Sequence, residues 1–126
     1  MQHVYILDDD QSFGQTLMKM VRSLGFDCLA FTLSEDFIEA VKANPPSLYL
    51  VDMWLGATTA LKVQKSHAEL LSGIPGILMS GGGGGSSLET VTAKAEIEGF
   101  RDVIYKPFSR AELKAALHKI FQNHDA

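Results

Sequence analysis

The sequence predicts a doubly wound α/β domain, a five-stranded parallel sheet with helices on both faces. Two observations carry that expectation. Five short apolar runs alternate with five segments of helical character, joined by short links, and such alternation builds a parallel sheet with crossover helices. The third run, Leu48-Tyr49-Leu50-Val51, is apolar at every position, as a strand covered on both faces must be.

The elements follow in order. Val4 to Leu7 forms the first strand and runs straight into Asp8-Asp9-Asp10. The first helix sets Phe13, Leu17, Val21 and Leu24 on one face, and Gly25 stops it. Cys28 to Phe31 reads as the second strand, a weaker signal because it is short and flanked by polar residues. Ser34 with Glu35 and Asp36 opens a helix with acids in its first turn, where the helix dipole favours them. Phe37, Ile38 and Val41 are its apolar stripe, and Asn44-Pro45-Pro46 ends it.

Strand three, Leu48 to Val51, stops at Asp52 and breaks into a loop containing Gly56. A third helix is expected from about Thr59 to Leu71, with Leu61, Ala68 and Leu71 on a poorly defined apolar face. Gly73-Ile74-Pro75 closes it, and Gly76 to Met79 is the fourth strand, ending at Ser80. Ser86 and Glu89 have capping-box spacing and open a fourth helix that Gly99 ends. Val103 to Tyr105 is the fifth strand, followed by Lys106-Pro107-Phe108. Ser109 and Glu112 form a second capping box, and Leu113, Ala116, Leu117 and Ile120 line the last helix.

Composition narrows the class without naming a function. At 126 residues the chain is read as one domain, 1–126, with a core of useful size. Its 46% hydrophobic and 21% charged content is ordinary for a soluble protein. No apolar run is long enough to cross a bilayer, and no basic segment precedes a signal-like stretch. Cys28 is the single cysteine, so no intrachain disulfide can form and a cytoplasmic setting is expected. A net charge of -4 argues against direct binding to a nucleic-acid backbone. The four histidines are scattered with no zinc-type spacing.

Chemistry is concentrated at the strand ends. An aspartate such as Asp52 could merely cap the next helix. Three further strands, however, end on Asp8-Asp9, Ser80 and Lys106, and a parallel sheet brings all such ends to one edge. Carboxylates gathered there repel and resist ionisation, a penalty that a divalent cation removes. An all-oxygen ligand set favours Mg²⁺. An aspartate beside Mg²⁺ can attack phosphorus and form an aspartyl phosphate. Lys106 would then neutralise phosphoryl oxygens opposite the metal, and Ser80 would donate to another.

The ordered set Ile6-Leu7-Asp8-Asp9, Asp52, Ser80 and Lys106-Pro107-Phe108 resembles that of bacterial response-regulator receiver domains, over essentially the whole chain. The resemblance implies a flavodoxin-like (βα)5 fold with strand order 2-1-3-4-5. It implies that Asp52 is the phosphoacceptor and that Asp8 and Asp9 hold Mg²⁺, Asp9 more directly. The backbone carbonyl of Trp54 would also face the metal, Ser80 would be the switch hydroxyl, and Lys106 would bind the phosphate. Asp10 is a bystander at the start of the first helix. The implied partners are a histidine kinase or phosphotransfer protein, an output domain or downstream protein, and a second copy on phosphorylation. By the same reading the domain is no enzyme beyond its own phosphorylation and dephosphorylation.

Four departures from the family pattern stand out. Gly56 occupies a position often held by proline, which should loosen the loop after Asp52. Trp54 is bulky for its place, and Val103 replaces the usual switching aromatic. Tyr105 lies on the same strand face as Val103 and could substitute for that aromatic only in part. Gly81 to Gly85 lengthens the segment between Ser80 and Lys106. No lysine follows as a phosphate-binding loop requires, so a mobile insertion is expected rather than an anion cradle. These departures keep open a pseudo-receiver, a phosphorylation-independent binding module. A phosphatase with an aspartyl nucleophile is disfavoured, because Trp54 stands where a general acid is needed.

Overall fold

The computed structural model describes residues 2–81 and 99–124, with side chains as far as Gln122. Strand β1 (His3–Leu7) leads into helix α1 (Gln11–Ser23), then β2 (Asp27–Phe31) and α2 (Ser34–Ala43). Strand β3 (Leu48–Asp52) is followed by two short strands, β4 (Trp54–Leu55) and β5 (Thr58–Thr59). Helices α3 (Ala60–Ser66) and α4 (Ala68–Leu71) precede β6 (Gly76–Ser80), β7 (Asp102–Tyr105) and the final helix α5 (Arg110–His124).

The main sheet has five strands in the order β2-β1-β3-β6-β7, and every pairing is parallel. Counting only its own strands, this is the expected 2-1-3-4-5 order. Strand β3 is central and every one of its residues is buried. Its side chains alternate between two cores, as strand periodicity requires. Leu48 and Leu50 face α1 and α5, with Leu17, Val21, Leu113 and Leu117. Tyr49 and Val51 face α2, α3 and α4, with Phe37, Val41, Val63 and Leu71. Helices therefore cover both faces, and the strand ends project from one edge.

Local sequence signals explain the element boundaries. Asp10 caps α1, its Oδ1 accepting from the Phe13 N–H at 3.1 Å. Gly25, at φ 97°, provides the left-handed turn after α1. Helix α2 begins at Ser34 with Glu35 and Asp36 in its first turn, as expected, although Leu33 is the residue in the capping position. The Ser109–Glu112 capping box forms in both directions: Glu112 N–H donates to Ser109 Oγ at 3.1 Å, and Ser109 N–H to Glu112 Oε1 at 3.2 Å.

Two expectations are corrected. The single helix from Thr59 to Leu71 is two helices, broken at His67, whose φ -122° and ψ 34° leave the helical region. Thr59 caps the first of them through Lys62 N–H at 3.2 Å. The loop after Asp52 is a small antiparallel ladder rather than a loose connection, with Trp54 paired to Thr59 and Leu55 to Thr58. Gly56 sits at φ 68° in its turn, a conformation that proline cannot adopt. The expected helix from Ser86 to Gly99, its capping box, and most of the glycine run lie outside the described residues.

Candidate functional site

Strand β1 carries Asp8 to the edge of the sheet, where its side chain is 1% exposed. Asp8 N–H donates to the Phe31 carbonyl at 3.0 Å. Asp8 Oδ1 accepts from the Asp10 N–H at 3.0 Å, so the carboxylate is fixed in direction. Asp9, next in the chain, is exposed. Strand β3 brings in Asp52, buried at its end. Asp8, Asp9 and Asp52 each offer an oxygen within 4.8 Å of the others. Three hard oxygen donors, one of them open to solvent, fit a divalent cation.

Lys106 arrives from the exit of β7. Its N–H donates to the Ser80 carbonyl at 2.8 Å, which ties the ends of β6 and β7 together. The Lys106–Pro107 peptide is cis. Lys106 Nζ lies 2.8 Å from Asp8 Oδ2 and 3.0 Å from Asp52 Oδ1. The same ammonium stands over the Phe13 ring, 3.9 Å from its centroid.

Burial pushes the Asp52 carboxyl above the ordinary range, since the charged form loses hydration. The Lys106 hydrogen bond opposes that rise, and the nearby Asp8 charge adds to it. For Lys106, burial alone would favour loss of the proton, but hydrogen bonds to Asp8 and Asp52 outweigh it and hold the ammonium above its usual range.

The remaining residues fall out as follows. Ser80 is 6% exposed at the end of β6, and its hydroxyl contacts its neighbour's carbonyl, Gly81 O, at the long distance of 3.5 Å. Trp54 is 49% exposed, its indole outside the core. Asp10 is a helix cap. Tyr105 aligns with Ser80 across the β6–β7 pair, and Val103 with Leu78. Two contacts were not foreseen. Phe13 was read only as part of an apolar face, yet it touches Lys106. Tyr49 was read as apolar, yet its hydroxyl donates to the buried Gln64 Oε1. The one available signal for the first was an aromatic in the opening turn after the acidic triplet.

Fold and site together define a doubly wound domain with a carboxylate cluster and one lysine gathered at the strand ends. The chain belongs to the response regulator receiver domain family, whose model matches residues 4–118. It is similar to the response regulator protein TodT of Pseudomonas putida, 32% identical over 114 residues, 90% of this chain and 48% of that protein. It is also similar to the DNA-binding response regulator MtrA of Mycobacterium leprae, 28% identical over 126 residues, 98% of this chain and 53% of that one. The chain spans about half the length of these curated relatives. The fold is shared with a two-component response regulator from Clostridium difficile, at TM-score 0.87 and 17% identity with 100% of each chain covered. A Francisella response regulator receiver domain gives TM-score 0.85 at 18% identity, covering 98% of this chain and 99% of that one. This chain is accordingly a receiver domain of the two-component kind. No helix among its described residues is long and apolar enough to cross a membrane.

Proposed function

We propose that Asp52 is the phosphoacceptor, receiving its phosphoryl group from a phosphohistidine of a histidine kinase or phosphotransfer protein. The observation that carries this reading is the setting of Asp52. It is a buried carboxylate at the end of the central strand, flanked by two further acids and joined to one ammonium. Asp8 and Asp9 are worse nucleophiles, since Asp8 is bonded at both oxygens and Asp9 lies open to water. An Asp52 oxygen attacks phosphorus, the P–N bond to the donor imidazole breaks, and the bonding pair returns to that nitrogen. Asp8, Asp9, Asp52 and the Trp54 carbonyl would hold Mg²⁺, which supplies positive charge to the phosphoryl oxygens.

The chain's own groups do the rest. Asp9, exposed and next to the buried acids, is the ligand a hydrated cation reaches first. Lys106 holds its ammonium beside Asp52, where the phosphoryl oxygens would lie. Ser80, one residue beyond the level of Asp52 in the sheet, would supply the switch hydroxyl. We read residues 1–126 as one cytoplasmic receiver domain that is not an enzyme beyond its own phosphorylation and dephosphorylation. Its output is an attached domain, a downstream protein or a pairing of phosphorylated copies.

Acetyl phosphate with Mg²⁺ tests the assignment. The protein should gain one phosphoryl mass, labile to base and hydroxylamine as an acyl phosphate is, and Asp52→Asn should abolish the gain without unfolding. A label that survives Asp52→Asn, or maps to Ser80 or a histidine, names a different nucleophile. A folded protein that neither binds Mg²⁺ nor takes label would be the phosphorylation-independent binding module.

A further inference from the structure

We infer that Phe13 is a positioning residue for Lys106, holding its ammonium at the phosphoacceptor by a cation–π contact. The inference rests on the proposed role of Lys106. The ammonium lies 3.9 Å from the Phe13 centroid and is 21% exposed. A ring face attracts a cation through its quadrupole, most strongly where water is partly excluded. Phe13 is itself braced. Its ring meets Phe108 edge-on, with centroids 6.1 Å apart and planes at 89°, and both rings pack on the core shared by α1 and α5.

The geometry gives the contact a task that the two carboxylates do not perform. Asp8 and Asp52 attract the same ammonium, but both residues also belong to the carboxylate cluster that could hold a divalent cation. A carboxylate engaged by a metal gives up part of its pull on lysine, and phosphorylation of Asp52 would replace the carboxylate with a differently placed anion. Phe13 is the neutral partner whose attraction persists through these changes. It adds a third hold on a flexible four-carbon side chain, beside the two ion pairs. The first turn of α1 therefore helps to shape the site, and the aromatic at position 13 serves more than the core.

Fluorination separates this role from packing. Phenylalanine with one, two or three ring fluorines, placed at position 13 in the full chain, keeps its shape while the ring face loses negative potential. The rate of acyl phosphate formation from acetyl phosphate and Mg²⁺ should fall stepwise with each fluorine. The most fluorinated form should be slower by about fivefold, the factor expected for a partly desolvated cation–π contact, with an unchanged unfolding midpoint. Phe13→Leu should be slow and Phe13→Trp should retain activity. A phosphorylatable wild type whose rate ignores fluorination overturns the inference and leaves the function intact. A wild type that takes no label fails the proposed function, and this inference with it.

Discussion

Replacing Lys106 with methionine isolates what its charge does for the fold. The change keeps an unbranched stem of similar length and removes the ammonium that lies 2.8 Å from Asp8 and 3.0 Å from Asp52. Asp8, 1% exposed, is then a buried carboxylate without its cation. Removing one partner of a fully buried pair costs about 3–5 kcal/mol. Here the cost should be smaller, about 2–3 kcal/mol, because water reaches Lys106 and Asp52 can relieve the strain by taking a proton. For a domain with a urea slope near 2 kcal/mol per molar, that is a drop of about 1–1.5 M in the unfolding midpoint. Circular dichroism in urea, with EDTA and with Mg²⁺, measures it. Mg²⁺ at ten times its dissociation constant should stabilise wild type by about 1.4 kcal/mol. The variant should gain more at the same Mg²⁺ concentration, since the metal no longer competes with an internal cation. A Lys106→Met protein that unfolds in EDTA at the wild-type midpoint would refute the view that lysine compensates these acids.

Two further predictions concern the core and the acceptor. A Cβ at Gly76 would lie 2.4 Å from Tyr49 Cζ, and that ring is hemmed in by Phe37 and Phe100 at 5.6 and 6.2 Å. Gly76→Ala should therefore cost about 1–3 kcal/mol by overpacking, read as a lower thermal midpoint. Asp52 has a folded pKa raised above its unfolded value, chiefly by burial. Folded protein then binds the extra proton, so wild type loses stability as pH rises through that window and recovers it as pH falls below. In EDTA, Asp52→Asn should be the more stable form at neutral pH, with the gap closing towards acid. A gap that widens on acidification would show that the charge of Asp52 favours the fold.

How much of this could be read in the sequence depends on how local each cause is. The unbroken run Leu48–Val51 located the central strand, because burial on both faces leaves no room for a polar residue. Its end located Asp52, and the topology of a parallel sheet brought Asp8, Asp9 and Lys106 to the same edge. The reciprocal bonds of Ser109 and Glu112 were equally legible, since a capping box lies within four residues. The break at His67 was not. Its helix has a weak apolar stripe, so packing against the sheet decides where it stops. The Tyr49–Gln64 hydrogen bond was hidden for a related reason. An apolar strand pattern says that a tyrosine is buried, but not which element supplies the partner its hydroxyl needs. Phe13 was misjudged because helical spacing assigns it a face, whereas the strand ends decide what that face meets.

The charge balance of the site explains why its parts belong together. Three carboxylates meet one ammonium, so their formal charges leave the cluster negative. That excess adds to burial in resisting the ionisation of Asp52 and would oppose any incoming phosphoryl group, itself an anion. Lys106 alone cannot reverse it, because it already answers Asp8 and Asp52 together. A divalent cation would bring the formal charges into balance, which is why labelling at the proposed acceptor should require Mg²⁺. Phosphorylation then exchanges the carboxylate charge of Asp52 for the larger charge of a phosphoryl group. The ammonium is shared with Asp8 before the reaction and faces a stronger anion after it. Lys106 and Ser80 are also joined through their backbones, the Lys106 N–H donating to the Ser80 carbonyl at 2.8 Å, so the proposed phosphate-binding lysine and switch hydroxyl sit on strand ends that are tied together.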